Sequence, residues 1–360
     1  MVSSLIIDGI PILMYLSDGE IDDSLAAPLH GYPQGEDILQ HFTTQGFSGA
    51  RLELAEIMLR ELDQELKFLD AGLEEHRLKR KSWIIERKFY SSSNFLARAG
   101  GKEGCYQIQL SIGTVLIALS TSVELCSLQE NSSTAVLATQ YSGGATSIES
   151  LFPSVTESSQ VGEEALGLAL DVCLLLYFHE LAHVIHGHCD YYFHNRNASS
   201  DEMRALELDA DFNAGTMFGL WVQALPAAYR KPKDFEDFVK RLVRSSFLLS
   251  TIMKAVSERS ANYHLPSNRM IFFMSGGAFA FDRTDKSPKF QNDEQGNRYW
   301  DDKVSTYTES IKAALGRSSL KQFLANERDI ESDYQEILNV THGVRDFLKD
   351  GPLMKFRLNE

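Results

Sequence analysis

The sequence predicts an α+β chain that is mostly α. A small sheet lies beside one apolar helix, and helical N- and C-terminal regions flank that core. Three observations predict it. Apolar residues recur in steps of three and four over several long stretches, the period of a helix face. Short alternating segments are few, and residues 105–112 (CYQIQLSI) are the clearest of them. Residues 171–190 (DVCLLLYFHELAHVIHGHCD) join an unbroken apolar run to histidines and a glutamate, groups that need partners when buried.

The totals bound the class. A chain of 360 residues makes one large domain or two ordinary ones. Its 43% apolar and 24% charged residues are the proportions of a soluble globular protein. A net charge of −15 argues against nucleic acid as a partner, because phosphate binding needs a basic footprint. The four cysteines include no CxxC pair, and the start, MVSSLIIDG, lacks the basic n-region of a secretory signal. The expectation is therefore a reducing, cytoplasmic setting. No membrane span is expected either: the best stretch, residues 165–178, is short and carries Asp171.

Taken in order, Ile6-Ile7 and Ile10-Pro11 flank Asp8-Gly9 as a hairpin, which confines Pro11 to an edge. A Gly- and Pro-rich loop runs on through Gly35. A long helix follows over about residues 48–80. Leu52, Ala55, Leu59, Leu62, Leu66, Leu69 and Leu73 form an a/d seam of about three heptads, suited to packing within its own domain or to a partner or second copy. The basic run HRLKRK at 76–81 suits the negative end of that helix. Residues 105–112 read as a strand, and as the candidate edge that would hold an extended substrate by backbone pairing. An apolar stretch at 114–123 follows, then a Ser/Gly/Thr-rich loop at 142–159.

The apolar helix starts near Gly162-Glu163-Glu164, with carboxylates in its first turn, and Gly187 is a natural stop. Ser199-Ser200-Asp201-Glu202 caps another helix that runs to Leu225, before Pro226. A third covers about residues 235–258. YHLPSNRM (263–270) leads into an apolar segment with Gly276-Gly277, and residues 282–302 read as a polar, loop-like boundary. Beyond it, Leu320, Phe323, Leu324, Ile330, Tyr334 and Ile337 keep helical spacing. The division expected is residues 1–100 (hairpin and long helix), 101–281 (core) and 282–360 (helical).

The chemistry concentrates in His179-Glu180-Leu181-Ala182-His183, an HExxH motif. Histidines four apart share a helix face, so both imidazoles can reach one metal ion. Glu180 is turned about 100° from His179, placed to act on a water rather than to ligate. That is the arrangement of zinc hydrolases. A catalytic zinc takes three protein ligands. Glu207 is the candidate third, and Asp211, four residues on, can accept the outward N–H of a ligand histidine. The segment after His183 does not supply the third ligand in the metzincin manner, because His186 and Cys189 occupy the glycine and histidine positions of that pattern. His186, His188 and His194 read as supporting or surface histidines.

HELAHVIHGH followed by ELDAD resembles the gluzincin zinc peptidases, whose pattern is HExxH and then ExxxD on a second helix. The resemblance implies a zincin-like core, with His179, His183 and Glu207 as zinc ligands, Glu180 as general base and Asp211 as the partner of a ligand histidine. HLPSNR (264–269) is similar to the His-Pro…Arg segment of HtpX-like and prenyl-protein peptidases, although Leu265 separates His264 from Pro266. The HGHxDY continuation at 186–191 looks most like the Lit-type phage-exclusion peptidases, bacterial metalloproteases that cleave a translation elongation factor during phage infection. The function implied is metal-dependent hydrolysis of peptide bonds in protein or peptide substrates. His264 is the favoured oxyanion donor among His264, Tyr263, Arg269 and Tyr191, and Arg269 alternatively pairs with Glu207 or Asp211. The competing expectation is a regulatory protein-binding module whose metal site is structural or vestigial.

Overall fold

The computed structural model describes residues 6–7, 10–11, 28–29, 43, 48–73, 84–90, 95–102, 105–129, 161–224, 230–256, 266–281, 290, 292–318, 320–321 and 324. Among them lie eight helices: α1 (Ala50–Leu73), α2 (Ile112–Gln129), α3 (Glu163–Ile185), α4 (His188–His194), α5 (Ser200–Ala224), α6 (Phe235–Val256), α7 (Pro266–Phe281) and α8 (Asp293–Leu315). The strands are β1 (Ile6–Ile7), β2 (Ile10–Pro11), β3 (Pro28–Leu29), β4 (Ile84–Tyr90), β5 (Ala97–Lys102) and β6 (Cys105–Ser111). The protein is thus mostly helical with a small mixed sheet, the class its sequence predicts.

The HExxH helix α3 is the centre of the core. Every residue from 168 to 182 is buried, because α2, α5 and α6 pack around it and β5 lies along it. That explains its nearly featureless apolar sequence, since a helix enclosed on all sides needs no polar face. Both α2 and α3 are long and apolar enough to cross a membrane, longer than the sequence pattern suggested. In the structure 78% and 94% of those windows are covered by other elements, the position of core helices. The α1 residues Ala55, Leu59, Leu62, Leu66 and Leu69 are buried in this same core.

Charge pins the far end of α3. Asp171, 2% exposed, accepts from Arg230 at 2.7 Å and from Arg241 at 2.6 and 2.9 Å. Arg230 also pairs with Glu65 of α1. Asp171 therefore joins α1, α3, α6 and the segment before α6 through buried ion pairs.

The main sheet has the order β3-β4-β6-β5. β4 and β6 run parallel, and β5 is antiparallel to β6. This corrects one expectation. Strand 105–112 is internal, flanked on both sides, and the edge beside α3 is β5. The Ser111 N–H donates to the Leu96 carbonyl at 2.9 Å, while the Leu96 N–H goes to the Ser111 and Thr114 hydroxyls, so in this register Arg98 and Gly100 exchange ladder bonds with β6. Ala97, Ala99 and Gly101 turn their N–H and C=O groups outward. Gly101, at φ 118°, brings the two strands together where a Cβ would lie 2.1 Å from the Cys105 carbonyl oxygen. The apolar stretch after β6 forms α2, and one further correction concerns a helix: residues 293–302 of the expected polar boundary belong to α8. The β1–β2 hairpin pairs Ile7 with Ile10 and Ile6 with Pro11. The basic run 76–81 and the loop 142–159 lie outside the described residues.

α5 begins in a reciprocal cap. The Ser199 hydroxyl accepts from the Glu202 N–H at 3.2 Å, and the Glu202 carboxylate accepts from the Ser199 N–H at 2.7 Å. α5 then crosses α7 in backbone contact. A Cβ on Gly215 would lie 1.9 Å from the Phe273 carbonyl oxygen, and one on Gly276 would lie 1.8 Å from that of Phe212. α7 opens with Pro266 in its first turn, where its missing N–H costs nothing. The close crossing brings Arg269 to the carboxylates of α5.

Candidate metal centre

Three side chains from two helices converge. His179 and His183 project from one face of α3 and Glu207 from the facing side of α5. The two Nε2 atoms are 3.1 Å apart. Glu207 places one oxygen 3.5 Å from His179 Nε2 and the other 3.5 Å from His183 Nε2. A tetrahedral ion with bonds of about 2.0–2.1 Å sets its ligand atoms about 3.3 Å apart. The triangle fits that requirement, so the buried cluster of His179, His183 and Glu207 can hold a metal ion. Two imidazoles and a carboxylate also match the donor chemistry of zinc.

The groups behind this triangle are fixed. His179 Nδ1 lies 2.8 Å from Asp211, which is fully buried. Arg269 bonds both Asp211 oxygens, at 2.8 and 2.7 Å, and reaches Glu207 at 3.2 Å. Arg269 thus pairs with both carboxylates that sequence reasoning offered it. Phe273, one turn along α7, sets its ring edge-on to His179 at 6.3 Å between centroids.

Electrostatics differ sharply among these groups. Burial alone would lower the His179 pKa, but the hydrogen bonds and charges of Asp211 and Glu207 outweigh it and raise the group to about 10. Burial, the His179 charge and Arg269 hold His183 well below its ordinary value against the pull of the Glu207 charge, so this ring is neutral. Glu207 stays ionised: its burial is overcome by the hydrogen bond and charge of His179 and by the charge of Arg269.

Glu180 is buried beside the triangle without belonging to it. Burial raises its pKa to about 7, with the Glu207 charge adding to the rise; His179, an N–H donated by Ala99 and Arg269 oppose it. Ala99 is one of the outward-turned residues of β5, so the open edge of the sheet and the carboxylate meet at one point.

A second cluster escaped sequence reasoning. Asp209 is 7% exposed. It accepts from His186 at 2.7 Å and lies 3.2 Å from His188 Nε2. Glu207, Asp209 and Asp211 alternate along α5, and the spacing ExDxD was the available signal. Tyr191 is buried and its hydroxyl donates to Glu202, which removes it as an oxyanion donor. Tyr263 and His264 lie outside the described residues. No protein-family model, curated protein or solved structure matches the chain.

Proposed function

We propose that this protein is a zinc-dependent endopeptidase acting on protein substrates, with His179, His183 and Glu207 as the protein ligands of the metal. The observation that supports this reading is Glu180. A metal site serving only structure has no use for a buried carboxylate that is not a ligand, tethered to the outward N–H of a strand edge.

Zinc in this site supplies Lewis acidity to a scissile carbonyl and to an attacking water. Glu180, with a pKa near 7, is suited to take the proton of that water and return it to the leaving amine. The outward groups of Ala97 and Gly101, with the Ala99 carbonyl, offer an extended peptide a backbone ladder, and their small side chains leave room for it. Asp211 and Arg269 hold His179 and Glu207 in place. His264, two residues before α7, is the proposed oxyanion donor. The resemblance to Lit-type peptidases extends the proposal to a cytoplasmic role in phage exclusion.

The test compares wild type with Glu180→Gln. Both should bind metal, and only the wild type should generate new protein N-termini when expressed in cells. Indistinguishable N-terminal profiles, with metal bound in both, would refute the peptidase and leave the protein-binding module.

A further inference from the structure

The two ligand histidines are supported differently. His179 passes its Nδ1 directly to Asp211 at 2.8 Å. His183 has no carboxylate of its own. Its Nδ1 faces His188 Nδ1 at 3.0 Å, and His188 Nε2 lies 3.2 Å from Asp209 Oδ2. We propose that His188 and Asp209 form an orienting relay that fixes the tautomer and ring plane of His183. This inference rests on the reading of His183 as a metal ligand.

The proton positions follow from the contacts. His183 offers Nε2 to the site, so its ring proton is on Nδ1. That nitrogen must donate to His188 Nδ1, which must accept. His188 therefore carries its proton on Nε2 and donates it to Asp209. A single tautomer of each ring satisfies the whole chain, and each link determines the next.

The local fold serves this arrangement. His188 is 2% exposed and cannot turn its ring to water. Gly187, at φ 74°, makes the left-handed turn that ends α3 and starts α4, so His186 and His188 both face Asp209. Asn213 donates to the Asp209 carbonyl at 2.8 Å. Glu207 of α5 thus faces the metal position, while Asp209 and Asp211 each back one of its histidines, the first through His188 and the second directly.

His186, His188 and Asp209 could instead bind a second metal ion. The 2.7 Å from His186 to Asp209 is a hydrogen-bond length, shorter than the roughly 3.3 Å between ligands of a tetrahedral ion. A hydrogen bond from His186 Nδ1 to Asp209 accounts for it directly.

The test uses the full chain with zinc. Metal stoichiometry by elemental analysis should be one per chain. Competition with a chromophoric chelator should show His188→Phe binding zinc 10- to 100-fold more weakly, the range expected when the support of a ligand is lost. His188→Asn keeps an acceptor for His183 and should recover part of that loss. Long-range proton–nitrogen NMR of the zinc-loaded wild type should find the proton on Nδ1 of His183 and on Nε2 of His188. One zinc per chain with unchanged affinity in a folded His188→Phe protein overturns the relay alone. So does a His188 proton on Nδ1. Two zinc ions per chain, falling to one in His188→Phe, assign the cluster its own metal and also overturn the relay. A wild type that binds no zinc overturns the proposed function and the relay together.

Discussion

Replacing Gly215 with alanine tests whether α5 and α7 touch through their backbones. On an isolated helix the change would stabilise by about 1 kcal/mol, since alanine loses less entropy than glycine. In the crossing, the new Cβ would lie 1.9 Å from the Phe273 carbonyl oxygen, whereas real Cβ contacts essentially never fall below 3.0 Å, so α7 must retreat by about 1.1 Å. Arg269 sits one turn before Phe273, with bonds of 2.7 and 2.8 Å to Asp211. The same displacement would stretch those bonds to about 3.8–3.9 Å, beyond hydrogen-bonding reach. Overpacking by a methyl group costs roughly 1–3 kcal/mol and breaking a buried ion pair roughly 3–5 kcal/mol, of which relaxation recovers a share. We expect a net loss of about 2–4 kcal/mol in urea unfolding, with zinc affinity reduced at least about tenfold. Gly167, whose added Cβ meets nothing within 4 Å, is the control; its alanine variant should gain about 1 kcal/mol. A Gly215→Ala protein as stable as the parent, with full zinc affinity, would refute the close crossing as the device that seats Arg269.

Three further outcomes follow from the site and its supports. His179, raised to about 10 by Asp211 and Glu207 despite its burial, carries a proton in the metal-free protein at neutral pH; because a ligand imidazole must be neutral, zinc binding should expel that proton. Apparent affinity should then rise about tenfold per pH unit between roughly pH 7 and 9, and calorimetry in buffers of different ionisation enthalpy that detects no proton release contradicts this. Ala99→Pro removes the N–H given to Glu180 but no ladder bond, so fold and zinc binding should survive while proteolysis falls; loss of the folded state on circular dichroism would show that Ala99 bonds inward. Asp171→Asn leaves Arg230 and Arg241 without their buried counter-charge and should cost about 3–5 kcal/mol in denaturant titration, whereas a loss below about 1 kcal/mol would mean that these pairs do not hold α1, α3 and α6 together.

Much of the candidate centre is written in local spacing. His179 and His183, or Glu207 and Asp211, share a face wherever a helix forms, and the Ser199–Glu202 cap and the apolar run before His179 make those helices legible. Edge strand β5 was not legible. Its residues, ARAGGK, contain no β-branched or aromatic side chain, so nothing local distinguishes them from a loop. Strand 105–112 was legible as a strand because it alternates, yet its place inside the sheet rather than at the edge depends on β4 and β5 pairing to either side of it. Asp209 followed the same rule: only the left-handed turn at Gly187 and the arrival of His188 turn it into a buried acceptor.

By itself, then, the sequence determined the class of the fold, the helices that carry HExxH and ExxxD, and which side chains on each helix could act together. Tertiary structure alone decided which strand borders the site, which histidine supports His183, and that Arg269 binds both Glu207 and Asp211. Helical periodicity is a property of neighbours along the chain, so residues a few positions apart reveal it. Strand order, glycine-mediated helix crossings and ion pairs between distant segments depend on how separate elements pack, and no local pattern encodes that packing.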